Sequence, residues 1–152
     1  MFSKQEASLL RQQFWTSFGQ YMAPVPAADG KKINWVNYKT GVKDLYFKME
    51  AGNDMATISI VVTHADAGKQ YRVFDQLLQL KNMLKDALQE EWNWQLQSPD
   101  AYNKIVSSVT GTLKNVSIFK KQDWPAIISF FKTRIIALDG FWTEVKDGFD
   151  AI

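Results

Sequence analysis

The stretch that decides the fold is DLYFKMEAGNDMATISIVVT, residues 44–63. In residues 44–51 apolar side chains occupy every second position, a period typical of a strand with one buried face. The same period returns in residues 55–63, and the GND between them supplies residues that tolerate the positive φ of a tight loop. We therefore predict an antiparallel hairpin and place the other elements around it.

The segment before this hairpin also alternates. Residues 33–38, INWVNY, predict a further strand, and Thr40-Gly41 is typical of a turn that joins such a strand to the hairpin. Because consecutive strands with short connections usually pair with one another, we predict a three-stranded antiparallel meander.

The chain begins with a helical pattern. Ser3 and Glu6 have the spacing of a capping box, in which the hydroxyl accepts from the Glu6 amide and the carboxylate reaches back. Apolar residues then recur every three or four positions up to Met22, and prolines follow that end the helix. The apolar stripe of this helix is Ala7, Leu10, Phe14, Phe18 and Tyr21.

The second half of the chain contains two more helical segments with two strands between them. A helical period returns after residues 65–68, and the two strands are predicted over residues 92–97 and 102–112. Asp123 and Pro125 open a long final helix, since aspartate is a natural N-cap and proline is tolerated in a first turn. The apolar stripes are Phe74, Leu77, Leu78, Leu84 and Leu88 in the first segment and Ile128, Phe131, Ile135, Leu138, Trp142, Val145 and Phe149 in the second.

These elements predict an α+β fold of order αβββαββα, with an antiparallel-rich sheet and helices packed mainly on one face. We interpret residues 1–152 as a single domain with one continuous core. The final helix has more apolar residues than one sheet face can cover, and we expect the N-terminal helix to cover the rest, which favours a monomer over a homodimer. The predicted core is Phe14, Phe18, Phe47, Ile58, Ile60, Leu77, Trp94, Phe131, Leu138 and Trp142.

The composition argues against familiar catalytic motifs. Cysteine is absent and His64 is the one histidine, so the commonest nucleophiles, acid–base groups and zinc ligands are scarce. The net charge is +2 and charged residues make up 22% of the chain, too balanced a composition for a nucleic-acid coat. The first six residues lack an apolar signal core and no run is long enough to span a membrane, so we expect a cytoplasmic protein without membrane contact or a cofactor.

Four separated runs resemble one bacterial family. They are QFWTSFGQYM (residues 13–22), INWVNYKTGVK (33–43), EWNW (91–94) and DWP (123–125). Through them the chain is similar, over nearly its whole length, to domain of unknown function 4268. In other members this domain looks like a C-terminal partner of a nuclease-like region, and the resemblance implies a link to DNA processing or defence. It brings no catalytic residues with it.

His64 and Asp66 are the first candidates for chemistry. A histidine and a carboxylate at the end of a strand are typical of a metal site or a general base, and Asp44 is a further candidate carboxylate. A structural zinc site needs four ligands, however, and the chain has neither cysteine nor a second histidine. The commoner interpretation is that His64 caps a strand or hydrogen-bonds across a loop, so we predict neither a metal nor a catalytic residue.

The order αβββαβ is also that of the PD-(D/E)xK nuclease core, which the chain resembles in topology alone. Such enzymes need an acid on the second strand and Glu/Asp-x-Lys on the third, because two carboxylates hold Mg²⁺ and the lysine polarises the attacking water. Asp44 fits the first place, but the third strand, TISIVVT, contains neither a carboxylate nor a lysine. A degenerate or divergent nuclease is therefore the alternative interpretation.

Lysines near aromatic residues are candidates for nucleic-acid contact, because lysines bind phosphates and aromatic faces stack on bases. These lysines are Lys39, Lys43, Lys120 and Lys121. Lysines before a helix are more often simply solvated. Since no familiar catalytic motif is present, the leading interpretation is a non-enzymatic binding or interaction module with a protein partner of unknown identity.

Overall fold

Four strands form one antiparallel sheet in the order β1-β2-β4-β3 in the computed structural model, which describes residues 3–150. The strands are β1 (Leu45–Ala51), β2 (Met55–Val62), β3 (Asn93–Pro99) and β4 (Ile105–Lys114). The helices are α1 (Lys4–Met22), α2 (Ala67–Gln79), α3 (Lys81–Leu88) and α4 (Trp124–Val145), with short 3₁₀ turns at Lys121–Asp123 and Lys146–Phe149. Met1 and Phe2, part of the polar start noted above, and residues 151–152 lie outside the described residues.

The hairpin of β1 and β2 forms with the predicted alternation. Leu45 pairs with Val62 at one end and Ala51 with Ala56 at the other, and the Gly52 N–H donates to the Met55 carbonyl at 2.9 Å to close the loop. Since successive side chains of a strand point to opposite faces, this register places all the large aliphatic residues of β2 except one valine on the same face of the sheet.

That face is covered by helices and the other is open. α2 and α4 pack directly on the sheet, and α1 and α3 pack on α4. The open face carries Tyr46, Lys48 and Glu50, all exposed. The predicted α+β fold, with an antiparallel sheet and helices mainly on one face, is confirmed. Trp94 is half-buried and packs against the core, and the other nine residues of the predicted core cluster are buried in it.

The predicted strand over residues 33–38 is wrong, because this segment is a loop without sheet partners. Its large side chains are anchors of that loop. Trp35 is buried and its Nε1 donates to the Val25 carbonyl at 2.9 Å, while Asn34 Oδ1 accepts from the Asn37 N–H at 3.1 Å. Ile33 and Trp35 point inward at alternate positions, which imitates the period of a strand. Of the predicted three-stranded meander, only the β1–β2 hairpin is therefore present.

The helical segment after residue 66 divides into two helices at Leu80, whose φ of −100° and ψ of 12° leave the helical region. Leu84 and Leu88 of α3 are buried as predicted, whereas Leu78 is exposed. The break lets α2 lie on the sheet and α3 turn towards α4.

The apolar excess of α4 is covered within the chain. Trp15 of α1 stacks on Phe131 with ring centroids 5.5 Å apart, and Phe131 is fully buried. Phe130 and Phe141, outside the predicted stripe, are also buried. Asp123 stands at the predicted N-cap position, but its side chain makes no capping bond and instead accepts from the Ser117 N–H at 2.9 Å. No helix within residues 3–150 is long and apolar enough to cross a bilayer.

Candidate functional site

The three predicted candidates for chemistry, His64, Asp66 and Asp44, meet in one cleft of about 360 Å³. We call it the histidine cleft. It lies between the turn that precedes β1, the residues that follow β2 and the first turn of α2. Its lining residues include Lys43, Asp44, His64, Asp66, Lys69, Val73, Phe149 and Asp150.

His64 is the chemically unusual residue of this cleft. Its side chain is only 6% exposed, and its Nδ1 is the one buried side-chain nitrogen or oxygen of residues 3–150 without a hydrogen-bond partner. Burial lowers the pKa of the His64 imidazole, and the nearby Asp44 carboxylate opposes that shift. Because buried polar atoms are nearly always paired, an unpaired one calls for a physical explanation.

A buried polar network holds the backbone of His64 in place. Gln70 Nε2 donates to the His64 carbonyl at 2.9 Å and to the Ile105 carbonyl at 3.2 Å. Ser107 Oγ in turn donates to Gln70 Oε1 at 2.7 Å, and both side chains are buried. The unpaired imidazole therefore stands on a fixed backbone.

The two carboxylate residues of the cleft, Asp66 and Asp44, make different hydrogen bonds. Asp66 caps α2, since its Oδ1 accepts from the Lys69 N–H at 3.0 Å, and this bond lowers the pKa of Asp66. Asp44 is half-buried with φ +62°, in the left-handed region that is costly for most side chains, and its carbonyl accepts from the Thr63 N–H at 2.8 Å. Within residues 3–150, no three histidine, aspartate or glutamate side chains converge closely enough to hold a metal ion.

A second cleft, of about 450 Å³, lies between the loop after α1 and the C-terminal half of α4. We call it the loop–helix cleft. Among its lining residues, sequence reasoning named only Lys39 as a functional candidate, for contact with nucleic acid. Its lining includes Ala27, Asp29, Ile33, Asn34, Asn37, Tyr38, Lys39, Thr40, Asp139, Trp142, Thr143 and Lys146.

A buried carboxylate fixes this loop to α4. Asp139 is 4% exposed; its Oδ1 accepts from the Tyr38 hydroxyl at 2.6 Å and its Oδ2 from the Ala28 N–H at 2.7 Å. Trp142 Nε1 adds a bond of 2.7 Å to the Thr40 carbonyl. Burial raises the pKa of the Tyr38 phenol, and the bond to Asp139 raises it further, so the phenol stays a donor.

A sequence signal for Asp139 was present. In the 22-residue helix α4 it is the one acid before Glu144, and it stands between Leu138 and the apolar pair Phe141-Trp142. An acid within an apolar stripe is buried, and buried carboxylates require donors. Its donors come from a loop more than 100 residues earlier in the chain, which the sequence does not identify.

The four lysines predicted to contact nucleic acid do not form one patch. Lys39 lines the loop–helix cleft and Lys43 the histidine cleft, near the C-terminal end of α4. Lys120 and Lys121 precede α4, and Lys121 lies over the Trp124 ring at 5.7 Å. From Trp124 to Trp142 the helix rises about 27 Å at 1.5 Å per residue, so the two pairs lie near opposite ends of α4.

No curated protein and no solved structure matches this chain significantly. One family model does, and its description is "Domain of unknown function (DUF4268)". The match runs over residues 10–146, which include most of α1, the whole sheet, α4, the loop–helix cleft and the histidine cleft except for Phe149 and Asp150. It confirms the resemblance carried by the four runs, and the chain belongs to the family of domain of unknown function 4268.

Proposed function

We propose that this chain is a non-catalytic binding module and that its ligand is a small, flat, polar molecule held in the loop–helix cleft. The observation that carries the proposal is the Asp139 clamp, which joins the two walls of the cleft before any ligand arrives. A preformed site binds more tightly than a mobile one, because less ordering entropy is lost on binding.

The size and lining of the cleft support a small molecule. Ligand sites are typically concave and about 300–1,000 Å³ in volume, and this cleft has a volume of about 450 Å³ with a largely polar lining, which suits a polar ligand. Tyr38, Trp142 and Ile33 contribute apolar surface, to which a flat ring is suited. Asn34 and Asn37 bring carboxamides, which both donate and accept.

The charges around the cleft favour a neutral ligand. Two lysines, Lys39 and Lys146, are matched by two acids, Asp29 and Asp139, among the lining residues. Nucleosides combine a flat ring, hydrogen-bonding edges and no charge, so they are the first probes. They also suit the link to DNA processing or defence that the family resemblance implies. That link is in keeping with the proposed location in a bacterial cytoplasm and with a protein partner.

The alternative function, a degenerate or divergent nuclease, gains no support from the cleft residues. β2 is the strand that would carry an acid-x-lysine motif, and its sequence is MATISIVV. Asp44, the acid proposed for the preceding strand, lies one residue before β1 beside His64 rather than beside a second free carboxylate and a lysine on β2.

The test is a titration of the protein with adenosine, guanosine, cytidine and thymidine, followed by ¹H–¹⁵N NMR. We expect saturable shifts of the backbone amides of Tyr38, Thr40 and Thr143 with at least one nucleoside. Asn37→Trp places a large ring at the exposed rim of the cleft and should abolish the shifts. Asn82→Trp, at an exposed position of α3, is the matched control and should leave them unchanged.

Two results would contradict the proposal. One is that none of the four nucleosides produces a saturable shift in the millimolar range. The other is binding that survives Asn37→Trp while the variant keeps the wild-type melting temperature.

A further inference from the structure

We infer that the histidine cleft is a second binding site, for a small apolar α-amino acid whose ammonium lies beside His64 and Asp44 and whose carboxylate lies beside Lys43 and Lys69. The inference is independent of the ligand of the loop–helix cleft. It stands on the unpaired His64 imidazole, the unpaired charges around it and the volume of the cleft.

The unpaired nitrogen determines what the ligand must supply. His64 is 94% buried, and its Nδ1 lacks a partner in residues 3–150. Because burial disfavours the charged imidazolium, the ring is neutral and one of its nitrogens is an acceptor. Since Nδ1 is sealed from solvent in the structure, the bond to a ligand requires a half-turn of the ring about χ2, a torsion that is broad and roughly two-fold and that exchanges the places of Nδ1 and Cδ2. A ligand N–H completes the missing bond.

The surrounding charges determine the rest of the ligand. Asp66 is engaged by the helix cap, whereas the Asp44 carboxylate has no hydrogen bond or ion pair in residues 3–150. Lys43 and Lys69 likewise make no ion pair there. An anion would be repelled by Asp44, Asp66 and the nearby Asp150, and a free cation by the two lysines. A zwitterion satisfies both signs of charge.

The apolar lining limits the side chain of the ligand. Val73 and Phe149 line the same cleft, and both belong to the buried core cluster. A small aliphatic side chain contacts them without bringing a further charge, and a volume of about 360 Å³ accommodates alanine or valine. L-alanine and L-valine are therefore the probes.

Because the chain has a single histidine, every imidazole resonance of the tag-free protein is assigned to His64 without ambiguity. We expect L-alanine or L-valine to shift the imidazole ¹⁵N resonances saturably and to lower the His64 pKa, because the ligand ammonium occupies the lone pair. Propionate lacks the ammonium and ethylamine lacks the carboxylate. Each should bind about tenfold more weakly or worse, the loss expected for one charge-assisted contact.

Substitutions of residues that line the cleft test whether the ligand binds there. Asp44→Asn keeps a residue that tolerates positive φ and removes the charge, so it should weaken binding at least about tenfold while the melting temperature stays close to that of the wild type. Asp54→Asn, in the exposed β1–β2 loop, is the matched control and should bind normally. Lys69→Gln should also weaken binding, and Lys114→Gln, at the end of β4, should not.

Each other outcome overturns the inference. Equal binding of propionate indicates an anion site, and equal binding of ethylamine indicates a cation site. If neither amino acid moves the His64 resonances in the millimolar range, water alone completes the bond of the imidazole. If both bind equally to wild type and Asp44→Asn, they bind outside this cleft.

Discussion

The two clefts lie near the same end of α4, yet they treat their buried polar groups in opposite ways. In the loop–helix cleft the carboxylate of Asp139 has a donor on each oxygen, and Tyr38 and Trp142 each donate one bond. In the histidine cleft the buried His64 Nδ1 has no hydrogen-bond partner within residues 3–150, and the neighbouring Asp44 has a positive φ.

This difference separates a buried group that is fully hydrogen-bonded from one that is left unpaired. Each oxygen of the Asp139 carboxylate keeps a hydrogen bond in the folded state, whereas an unsatisfied buried polar atom costs about 1–3 kcal/mol. Local rules are most often broken where a protein binds or reacts. The clamp therefore accounts for the shape of one cleft, and the unpaired nitrogen in the other is the reason for the ligand proposed there.

The largest expected effect comes from breaking the clamp. Asp139→Ala leaves the Tyr38 hydroxyl and the Ala28 N–H without their acceptor, so the free energy of unfolding should fall by about 3 kcal/mol. Glu144→Ala changes an exposed acid of the same helix and should stay within about 0.5 kcal/mol of wild type. Equal denaturant midpoints for the two variants would show that the clamp is not stabilising.

Removing one donor of the clamp has a smaller, pH-dependent effect. Tyr38→Phe should lower the free energy of unfolding by about 2 kcal/mol at neutral pH, within the range for a hydrogen bond to a charged group. The folded pKa of Tyr38 lies above the usual 10.0, so the wild type loses stability as the pH rises through 10.0 and the unfolded chain ionises. The gap between wild type and variant should therefore narrow in alkaline denaturation curves, and a constant gap would contradict this reasoning.

The backbone of Asp44 allows a comparison of two substitutions at one site. Asp44→Ala should cost about 1 kcal/mol because alanine adopts positive φ poorly, and Asp44→Gly should be more stable than Asp44→Ala. Asp54→Ala and Asp54→Gly, outside the positive-φ positions, should show the reverse order or no difference. Thermal melts of the four variants decide whether the turn is strained.

The smallest expected change concerns His64. His64→Leu removes the unpaired nitrogen, so the free energy of unfolding at neutral pH should be unchanged or higher by up to about 1 kcal/mol. Because the folded pKa of His64 is lowered, the wild type should lose stability as the pH falls below 6.5, while the variant lacks this contribution. A variant that is less stable at every pH would show that His64 makes favourable contacts of its own.

Sequence patterns predicted the elements whose period reflects a single buried face. The hairpin of β1 and β2, the final helix and the common core follow from alternation or from three-to-four spacing. They also identified His64, Asp44 and Asp66 as the candidates for a metal or general-base role, and the fold brings these residues together in one cleft.

Such patterns could not predict the loop–helix cleft, and the reason is physical. Ile33 and Trp35 alternate as in a strand, but the side-chain hydrogen bonds of Trp35 and Tyr38 go to Val25 and Asp139, and the segment pairs with no strand of the sheet. A periodic pattern indicates which side chains point inward, but it does not indicate which residues they contact. The partner of Asp139 could be found only by placing the loop and α4 side by side.

The separation of the clamp residues along the chain also sets when the loop–helix cleft can exist. Ala28 and Asp139 are 111 residues apart, and Tyr38 and Asp139 are 101 apart. During synthesis the loop leaves the ribosome long before α4, and contacts between distant residues are slow to close. We therefore expect the cleft to form late in folding, so that the proposed ligand would bind completed molecules and not nascent chains.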